Sequence, residues 1–314
     1  MAEPTVGAGP TARVRAGIAR NQAVTPELFP ERAISVTRSF RETEGEPLAI
    51  RRAKMLGRVL EEHPAIIQEG EVIIGMKTRK PRGSPVFPEI NAQWIERDLD
   101  KLATRKDTPF FVSDETKALL TEEVFPYWRG RQIYNRIVEA VPDELWRADD
   151  RGVVYHYFRS RTIGHINAGY AKVLSRGMNG IKEDLARSLD RLDREDPAYY
   201  RHKQFIESVS MVSDAVIEFA RRHAAEARRQ ASLEVDPERR KELLKIAAVC
   251  ERVPAEPART FQEALQSFWF VHLVLNLETD GHAFGPGRFD QYLWPYYRHS
   301  LDGGEISPTS MLCR

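Results

Sequence analysis

Charged residues and glycines are concentrated in one short stretch near the C-terminal end of the chain, residues 276–297. This stretch follows an apolar helix candidate at 260–275. Charged groups are rarely buried unless they are paired, and glycine marks places where the backbone turns sharply or is approached closely. The pattern predicts either a ligand-facing corner or a charge-paired structural corner, and the residue types alone favour the structural one. The residues concerned are Glu278, Asp280, Gly281, His282, Gly285, Gly287, Arg288 and Asp290.

A second stretch, residues 153–174, also interrupts an apolar pattern with polar groups. Aromatic and cationic side chains alternate along its first half, which favours an extended backbone, and Gly164 breaks the run between Arg161 and His165. A lone histidine in such a place is more often structural than catalytic. The neighbouring arginine favours an anionic or polar substrate, because a guanidinium binds carboxylate or sulfonate oxygens in pairs.

Three sequence blocks in order resemble the glycyl radical enzymes, the relatives of pyruvate formate-lyase. They are Pro-Ala-Glu-Pro-Ala-Arg-Thr-Phe-Gln-Glu-Ala-Leu-Gln-Ser-Phe-Trp-Phe-Val-His at 254–272, Glu-Thr-Asp-Gly-His at 278–282 and Gly-Arg-Phe-Asp-Gln-Tyr at 287–292. The match is to the dehydratase and lyase branch, and it extends from about residue 13 to about residue 300. Linked blocks of this kind are far more specific than a single short motif.

The resemblance implies roles for individual residues. It implies substrate binding by His165 first, by Arg161 second and by Tyr157 more weakly. It implies that Ala283 stands where several family members place a polar substrate ligand, so one contact is missing here. The second and third blocks also contain a structural motif, which consists of Gly281, His282, Arg288 and Asp290.

The two residues that carry the family's radical chemistry are not found in this sequence. The family uses a cysteine in a Cys-x-Glu motif and a glycine in an Arg-Val-x-Gly-Tyr motif, whereas the cysteines here are Cys250 and Cys313. We therefore assign no catalytic residue and no metal ligand within the chain, and we expect the 314-residue chain alone to be inactive. The alternative is a non-catalytic truncated paralogue, or an assembly or scaffold partner.

The family implies a lyase or dehydratase that resembles formate C-acetyltransferase. Its substrate would be a small polar molecule such as a diol, an amino-alcohol, hydroxyproline or a sulfonate. No cofactor would be bound, because an organic glycyl radical is installed by a separate radical-SAM activating enzyme. The full-length protein would be a homodimer and would act in anaerobic metabolism.

Composition excludes several other classes of protein. The formal net charge of +1 provides no field that would attract nucleic acid or an anionic membrane. Two cysteines cannot form a disulfide framework, which is typical of a cytoplasmic protein. We find no dinucleotide fingerprint, no phosphate-binding loop of the P-loop type and no cysteine and histidine spacing typical of zinc.

The periodicity predicts a mainly α fold with a few short strands, near Val72 and Val154. From the resemblance, this part of the chain would be the N-terminal portion of a ten-stranded α/β barrel. We expect a disordered tail at 1–12, a pyruvate formate-lyase-like region at 13–300 and an aberrant or truncated tail at 301–314.

Overall fold

The computed structural model describes residues 11–155, 164–281 and 283–307. Within these ranges the chain is mainly helical with two short strands, as predicted from the sequence. The strands β1 and β2 form a parallel pair in which Leu28 lies opposite Ser84. The elements are α1 (Ala12–Ala23), β1 (Glu27–Phe29), α2 (Glu31–Glu42), α3 (Leu48–Glu62), β2 (Gly83–Pro85), α4 (Pro88–Asn91), α5 (Gln93–Asp98), α6 (Asp114–Leu119), α7 (Phe125–Trp128), α8 (Ile133–Ala140), α9 (Asp143–Asp150), α10 (Tyr170–Asp190), α11 (Tyr199–Leu233), α12 (Pro237–Arg252), α13 (Phe261–Glu278) and α14 (Phe289–Asp302).

The long helix α11 is the centre of the packing, and it lies against α3, α10, α12 and α13. Its buried alanines recur every three or four residues, at 220, 224, 227 and 231, so they form one stripe along the helix. Small side chains allow neighbouring helices to approach closely, because the distance between helix axes depends on the residues at the contact. The main hydrophobic core forms around this stripe.

Helix α13 is apolar around most of its circumference, which is typical of a helix that is buried on several sides. It begins where the side chain of Thr260 accepts a hydrogen bond from the backbone N–H of Glu263 at 3.3 Å. The predicted helix at 260–275 is therefore confirmed, with its end three residues later at Glu278. Ser113 precedes an acidic first turn, a pattern that predicts a helix cap, and its hydroxyl does accept a hydrogen bond from the N–H of Thr116 at 3.1 Å.

The predicted strand near Val72 is wrong. Residues 71–76 contain no strand, because side chains of α13 satisfy the backbone of this segment in place of a neighbouring strand. The side-chain amide of Gln266 accepts from the N–H of Ile74 and donates to its carbonyl, both at 2.9 Å. The indole N–H of Trp269 donates to the carbonyl of Gly75 at 2.9 Å. The apolar pattern indicated burial correctly, but not the source of the hydrogen bonds.

A sharp break divides α10 at Gly177, which adopts φ 65° and ψ 169°. The carbonyls of Pro254 and Ala255 accept hydrogen bonds from the N–H groups of Met178 and Asn179, at 2.8 and 3.0 Å, and so cap the second half of the helix. A Cβ at position 177 would clash with the backbone at Ala255 and Glu256. Only glycine tolerates both this backbone conformation and this close approach.

Three other sequence predictions differ from the structure or lie outside it. The alternating charges of residues 182–194 predict a helix there, whereas the structure has one helix from Tyr170 to Asp190, because the two halves of α10 follow each other directly. Residues 153–155 contain no strand, and the remainder of the predicted extended segment, 156–163, lies outside the described residues. The predicted tails at 1–12 and 301–314 lie largely outside them too. In the part of the chain that is described, no helix is both long enough and apolar enough to cross a membrane.

Candidate functional site

The C-terminal end of α13 is held by a buried arginine from α2. Arg32, whose residue surface is 4% exposed, donates to the carbonyls of Leu277 and Glu278 at 2.5 and 3.0 Å. It also forms a two-pronged ion pair with Glu89, at 2.6 and 3.2 Å. The last carbonyls of a helix have no partner within the helix, so this guanidinium supplies one. Arg32 therefore fixes the point at which the chain leaves α13.

We call residues 279–288 the glycine corner, of which residue 282 lies outside the described part of the chain. Just before it, Glu278 forms an ion pair with Arg52. Gly281 is buried, whereas residues 286–288 are exposed. Arg288 pairs with Asp290 at 3.1 Å on the surface, and both side chains are 70% exposed. An ion pair this exposed contributes little to stability, typically about 0–1 kcal/mol.

The structure brings the two chemically suggestive stretches of the sequence into contact. The N–H of Gly285 in the glycine corner donates to the carbonyl of Ile166 at 3.0 Å, and an isolated parallel bridge joins Gly285 to Asn167. A Cβ at Gly287 would clash with the side-chain amide of Asn167, so this glycine permits the close approach. Segment 164–169 thus lies directly against the glycine corner.

Two non-glycine residues at this junction adopt left-handed backbone conformations. His165 has φ 57° and Ala283 has φ 59°, one on each side of the contact. A left-handed conformation costs a non-glycine residue about 1–2 kcal/mol. Both residues are exposed, so hydrophobic burial does not offset this cost.

An aromatic cluster lies beside the junction, at the start of α10. Tyr170, the first residue of α10, shares a hydrogen bond of 3.0 Å with Nδ1 of His272 on α13. Its ring lies 4.7 Å from that of Phe268 and 6.2 Å from that of Tyr292 on α14. The cluster fixes the helix start that follows segment 164–169. One hydrogen bond from the Tyr292 hydroxyl to the carbonyl of Pro286, at 2.7 Å, extends this support into the glycine corner.

Burial shifts the titration of this cluster. It lowers the pKa of His272, with the nearby Lys77 ammonium acting in the same direction, so the imidazole favours its neutral form. Burial also raises the pKa of Tyr292 to about 12, with Tyr170 as a smaller cause. Both groups are therefore neutral near pH 7, as suits hydrogen-bonding and packing partners.

Of the residues predicted to bind substrate, His165 lies at the junction with its side chain exposed. Arg161, Tyr157 and the motif residue His282 lie outside the described residues. Among the motif residues, Gly281 is buried in the glycine corner, and Arg288 and Asp290 pair with each other at the start of α14.

Sequence reasoning missed Arg32 and the pair formed by Tyr170 and His272. Arg32 shares its buried helix face with Ser35 and Ser39, so hydrophobic periodicity could not single it out. His272 lies in the middle of an apolar helix pattern, where one polar residue among buried neighbours was the only available signal.

Cys250 lies on α12 in the core with 1% of its surface exposed, and burial raises the pKa of its thiol. A buried neutral thiol cannot meet a substrate at the junction. Among the described residues, no group of three or more His, Cys, Asp or Glu side chains could hold a metal ion.

The chain belongs to the glycyl radical enzymes, and the model of the pyruvate formate lyase-like family matches residues 10–311. It is 34% identical to the isethionate sulfite-lyase of Desulfovibrio desulfuricans over 298 residues, which is 92% of this chain and 36% of that protein.

Solved structures support the same family. A structure from a study of 1,2-propanediol dehydration in Roseburia inulinivorans matches with a TM-score of 0.93 at 37% identity, over 96% of this chain and 38% of the other. The B12-independent glycerol dehydratase of Clostridium butyricum matches with a TM-score of 0.91 at 36% identity, again over 96% and 38%. The chain therefore spans little more than a third of the length of these relatives.

Proposed function

We propose that this chain is the substrate-facing N-terminal part of a glycyl radical lyase or dehydratase that acts on a small polar molecule. The observation that carries the proposal is the contact between segment 164–169 and the glycine corner, with His165 and Ala283 on its two sides. In the complete protein, the helices described here would surround the first part of a ten-stranded barrel.

Backbone strain supports a functional role for this contact. Left-handed non-glycine residues persist only where surrounding structure holds them, and they cluster at active sites and ligand clamps. Here the junction holds two of them, and neither is buried. A purely structural turn would satisfy the same backbone with glycine at lower cost.

The substrate class follows from the relatives and from the side chains at the junction. The relatives act on isethionate, 1,2-propanediol or glycerol, all of which are small and polar. An exposed imidazole at His165 can donate a hydrogen bond to such a substrate, or a proton to the group that leaves. Ala283 cannot donate a hydrogen bond through its side chain, so we expect the substrate to depend more strongly on His165. Arg161 and Tyr157 remain predicted substrate ligands.

The chain alone does not supply the radical chemistry. Neither radical motif occurs in its sequence, and Cys250 is buried away from the junction. We propose that the thiyl cysteine and the radical glycine belong to the part of the family fold that this chain does not contain. A radical-SAM enzyme would activate the complete protein, which would be a homodimer. The 314-residue chain by itself should show no turnover and no glycyl radical signal.

A chimera tests the proposal. Residues 13–300 replace the matching part of the Clostridium butyricum glycerol dehydratase, and the product is activated under anaerobic conditions by that dehydratase's radical-SAM activating enzyme, with S-adenosylmethionine and a one-electron reductant. We expect a glycyl doublet by electron paramagnetic resonance and turnover of glycerol, 1,2-propanediol, isethionate or trans-4-hydroxyproline. His165→Ala should lower kcat by about a hundredfold or more while leaving the doublet intact, since general acid–base groups contribute about 10²–10⁴-fold.

The matched control is His202→Ala, which removes an exposed histidine on α11. It should change neither the doublet nor kcat. A chimera that forms the doublet but converts none of the four substrates would contradict the proposal and favour a non-catalytic scaffold. Equal effects of the two histidine variants would show that His165 does not act on substrate.

A further inference from the structure

A cavity of about 620 Å³ lies between α1, the segment 68–83 and Trp269 of α13. Small-molecule sites usually measure about 300–1,000 Å³, so this cavity has room for a small organic ligand. In the described part of the chain, its lining includes no residue of segment 164–169 or of the glycine corner. It is therefore a different place from the junction that carries the proposed function.

Basic side chains outnumber acidic ones in this lining. Arg13 forms an ion pair with Glu242 at 2.5 Å, outside the lining. Lys80 forms one with Glu27 at 2.7 Å, also outside it. The other three cations form no ion pair with a described carboxylate, so they remain available to an anion. The charged lining residues of the described chain are Arg13, Arg20, Lys77, Lys80, Arg82, Glu69 and Glu71.

Lys77 is the cation with the fewest contacts. Its side chain forms neither a hydrogen bond nor an ion pair with the described residues. The residue is exposed at the cavity, but the protein around it removes part of its hydration and lowers the pKa of its ammonium. A charge that loses water without gaining a partner is unfavourable, and a bound anion would supply that partner.

Arg20 and Arg82 each donate to one backbone carbonyl. Nη1 of Arg20 donates to the carbonyl of Glu69 at 2.9 Å, and its buried Nε has no acceptor among the described residues. Nη1 of Arg82 donates to the carbonyl of Val24 at 3.1 Å. Because a guanidinium carries five N–H donors, both side chains retain donors for a ligand.

The two acidic residues offset this charge only in part. Glu69 is exposed. Glu71 accepts a hydrogen bond from the N–H of Gln68 at 2.9 Å, and burial raises the pKa of its carboxyl, with the charge of Arg20 acting against this shift. Arg20 is therefore partly compensated by Glu71, whereas no described carboxylate contacts Lys77 or Arg82. Both of these residues belong to the loop that leads into β2.

A phosphate group suits this set of cations better than a carboxylate. A phosphate monoester carries about −1.5 to −2 charges at pH 7 and three strong acceptor oxygens, so it can bind several cations at once. The indole N–H of Trp269 already donates to the carbonyl of Gly75 at 2.9 Å, so the ring offers an apolar surface to the remainder of a ligand.

We propose that this cavity binds the phosphate monoester of a small organic molecule. Lys77, Arg82 and Arg20 bind the phosphate, and the organic part lies against Trp269. The site requires neither a radical nor the part of the family fold that this chain does not contain.

Titration calorimetry of the 314-residue chain with phenyl phosphate, at pH 7 and low ionic strength, tests the site directly. We expect saturable binding of one equivalent. Benzoate, which has one charge and two oxygens, should bind at least about tenfold more weakly, and phenol should not bind. Absence of phenyl phosphate binding would overturn the proposal, and so would equal binding of benzoate.

Variants locate the binding within the chain. Lys77→Met and Arg82→Met should each weaken phenyl phosphate binding by about tenfold or more, because a charge-assisted hydrogen bond is lost. The matched control is Lys245→Met, which changes the net charge by the same amount but removes an exposed lysine of α12 outside the lining. It should change the affinity by less than about twofold, because salt screens distant charges.

Circular dichroism confirms that each variant is folded, and either of the two lining variants is sufficient for the test. An unchanged affinity in a folded Lys77→Met or Arg82→Met chain would overturn the proposal. Equal losses in Lys77→Met and Lys245→Met would overturn it as well, because they would show that only the net charge of the chain attracts the anion.

Discussion

The middle of α13 and the chain just beyond its C-terminal end differ in their surroundings. Along the helix, Gln266 and Trp269 supply side-chain partners to the buried segment 71–76, and the adjacent core is closely packed. Beyond its last residue, the chain enters the glycine corner, where Ala283 and residues 286–288 are exposed and the ion pair between Arg288 and Asp290 faces solvent. Strained backbone replaces buried contacts there.

The charge of a residue therefore does not by itself reveal its role. Arg32 and Arg288 are both paired with a carboxylate near α13 or α14. Arg32 is buried and donates to five acceptor atoms, two of them in its partner carboxylate, whereas the pair of Arg288 is open to water. Buried charges become costly when a partner is lost, whereas exposed pairs exchange easily with water. We expect stability to depend on the core region and function on the corner.

Replacement of Arg32 should give the largest effect. Arg32→Leu would leave the Glu89 carboxylate and the carbonyls of Leu277 and Glu278 without their donor. We expect a loss of about 3–5 kcal/mol in the free energy of unfolding, which is typical when one partner of a buried pair is removed. Urea denaturation followed by circular dichroism measures it.

Arg288→Leu is the matched control for Arg32→Leu, because it removes the same side chain from an exposed pair. It should change the free energy of unfolding by less than about 1 kcal/mol. If the two variants lost similar amounts, the distinction between core and corner would fail.

The core should also show a pH dependence of its stability. His223 lies in the core between the rings of Phe219 and Phe270, and burial lowers its pKa to about 4. The unfolded chain therefore binds a proton below about pH 6.5 that the folded chain does not bind until about pH 4. Stability should be complete above pH 6.5, decrease as the pH falls through this window, and level off below pH 4.

The free energy of unfolding should fall by about 3 kcal/mol across this window, because the pKa of His223 is about 4 in the folded chain and about 6.5 in the unfolded chain. His223→Phe should flatten the dependence of Tm on pH between 4 and 6.5, relative to the unmodified chain. His202→Gln, which changes an exposed histidine, should keep the original slope. A slope unchanged in His223→Phe would show that this histidine takes up its proton in the folded state as easily as in the unfolded one.

Much of the helical fold could be predicted from the sequence, because apolar spacing and capping residues act locally. Ser113 and Thr260 are examples, since each caps a helix within three or four residues of itself. The segment 71–76 could not be predicted in the same way. Its hydrogen bonds come from Gln266 and Trp269, about 190 residues later in the chain. Its apolar pattern does not distinguish this arrangement from a buried strand.

The candidate site could be predicted only in outline. Glycine, charge and histidine patterns indicated the two stretches, but not that Gly285 and Ile166 join them through one backbone hydrogen bond. The left-handed conformation of Ala283 has no local sequence signature, and that of His165 has only a weak one, because histidine adopts this conformation more often than most non-glycine residues but still uncommonly. Such conformations are imposed by tertiary contacts, so only the structure reveals them.

We propose that the junction holds His165 in place for function and at a cost in stability. The most direct test is the free energy of unfolding of the 314-residue chain carrying His165→Gly. Glycine adopts φ 57° without strain, so stability should stay the same or rise by about 1 kcal/mol. A decrease of more than about 1 kcal/mol would contradict the claim and make His165 a structural residue.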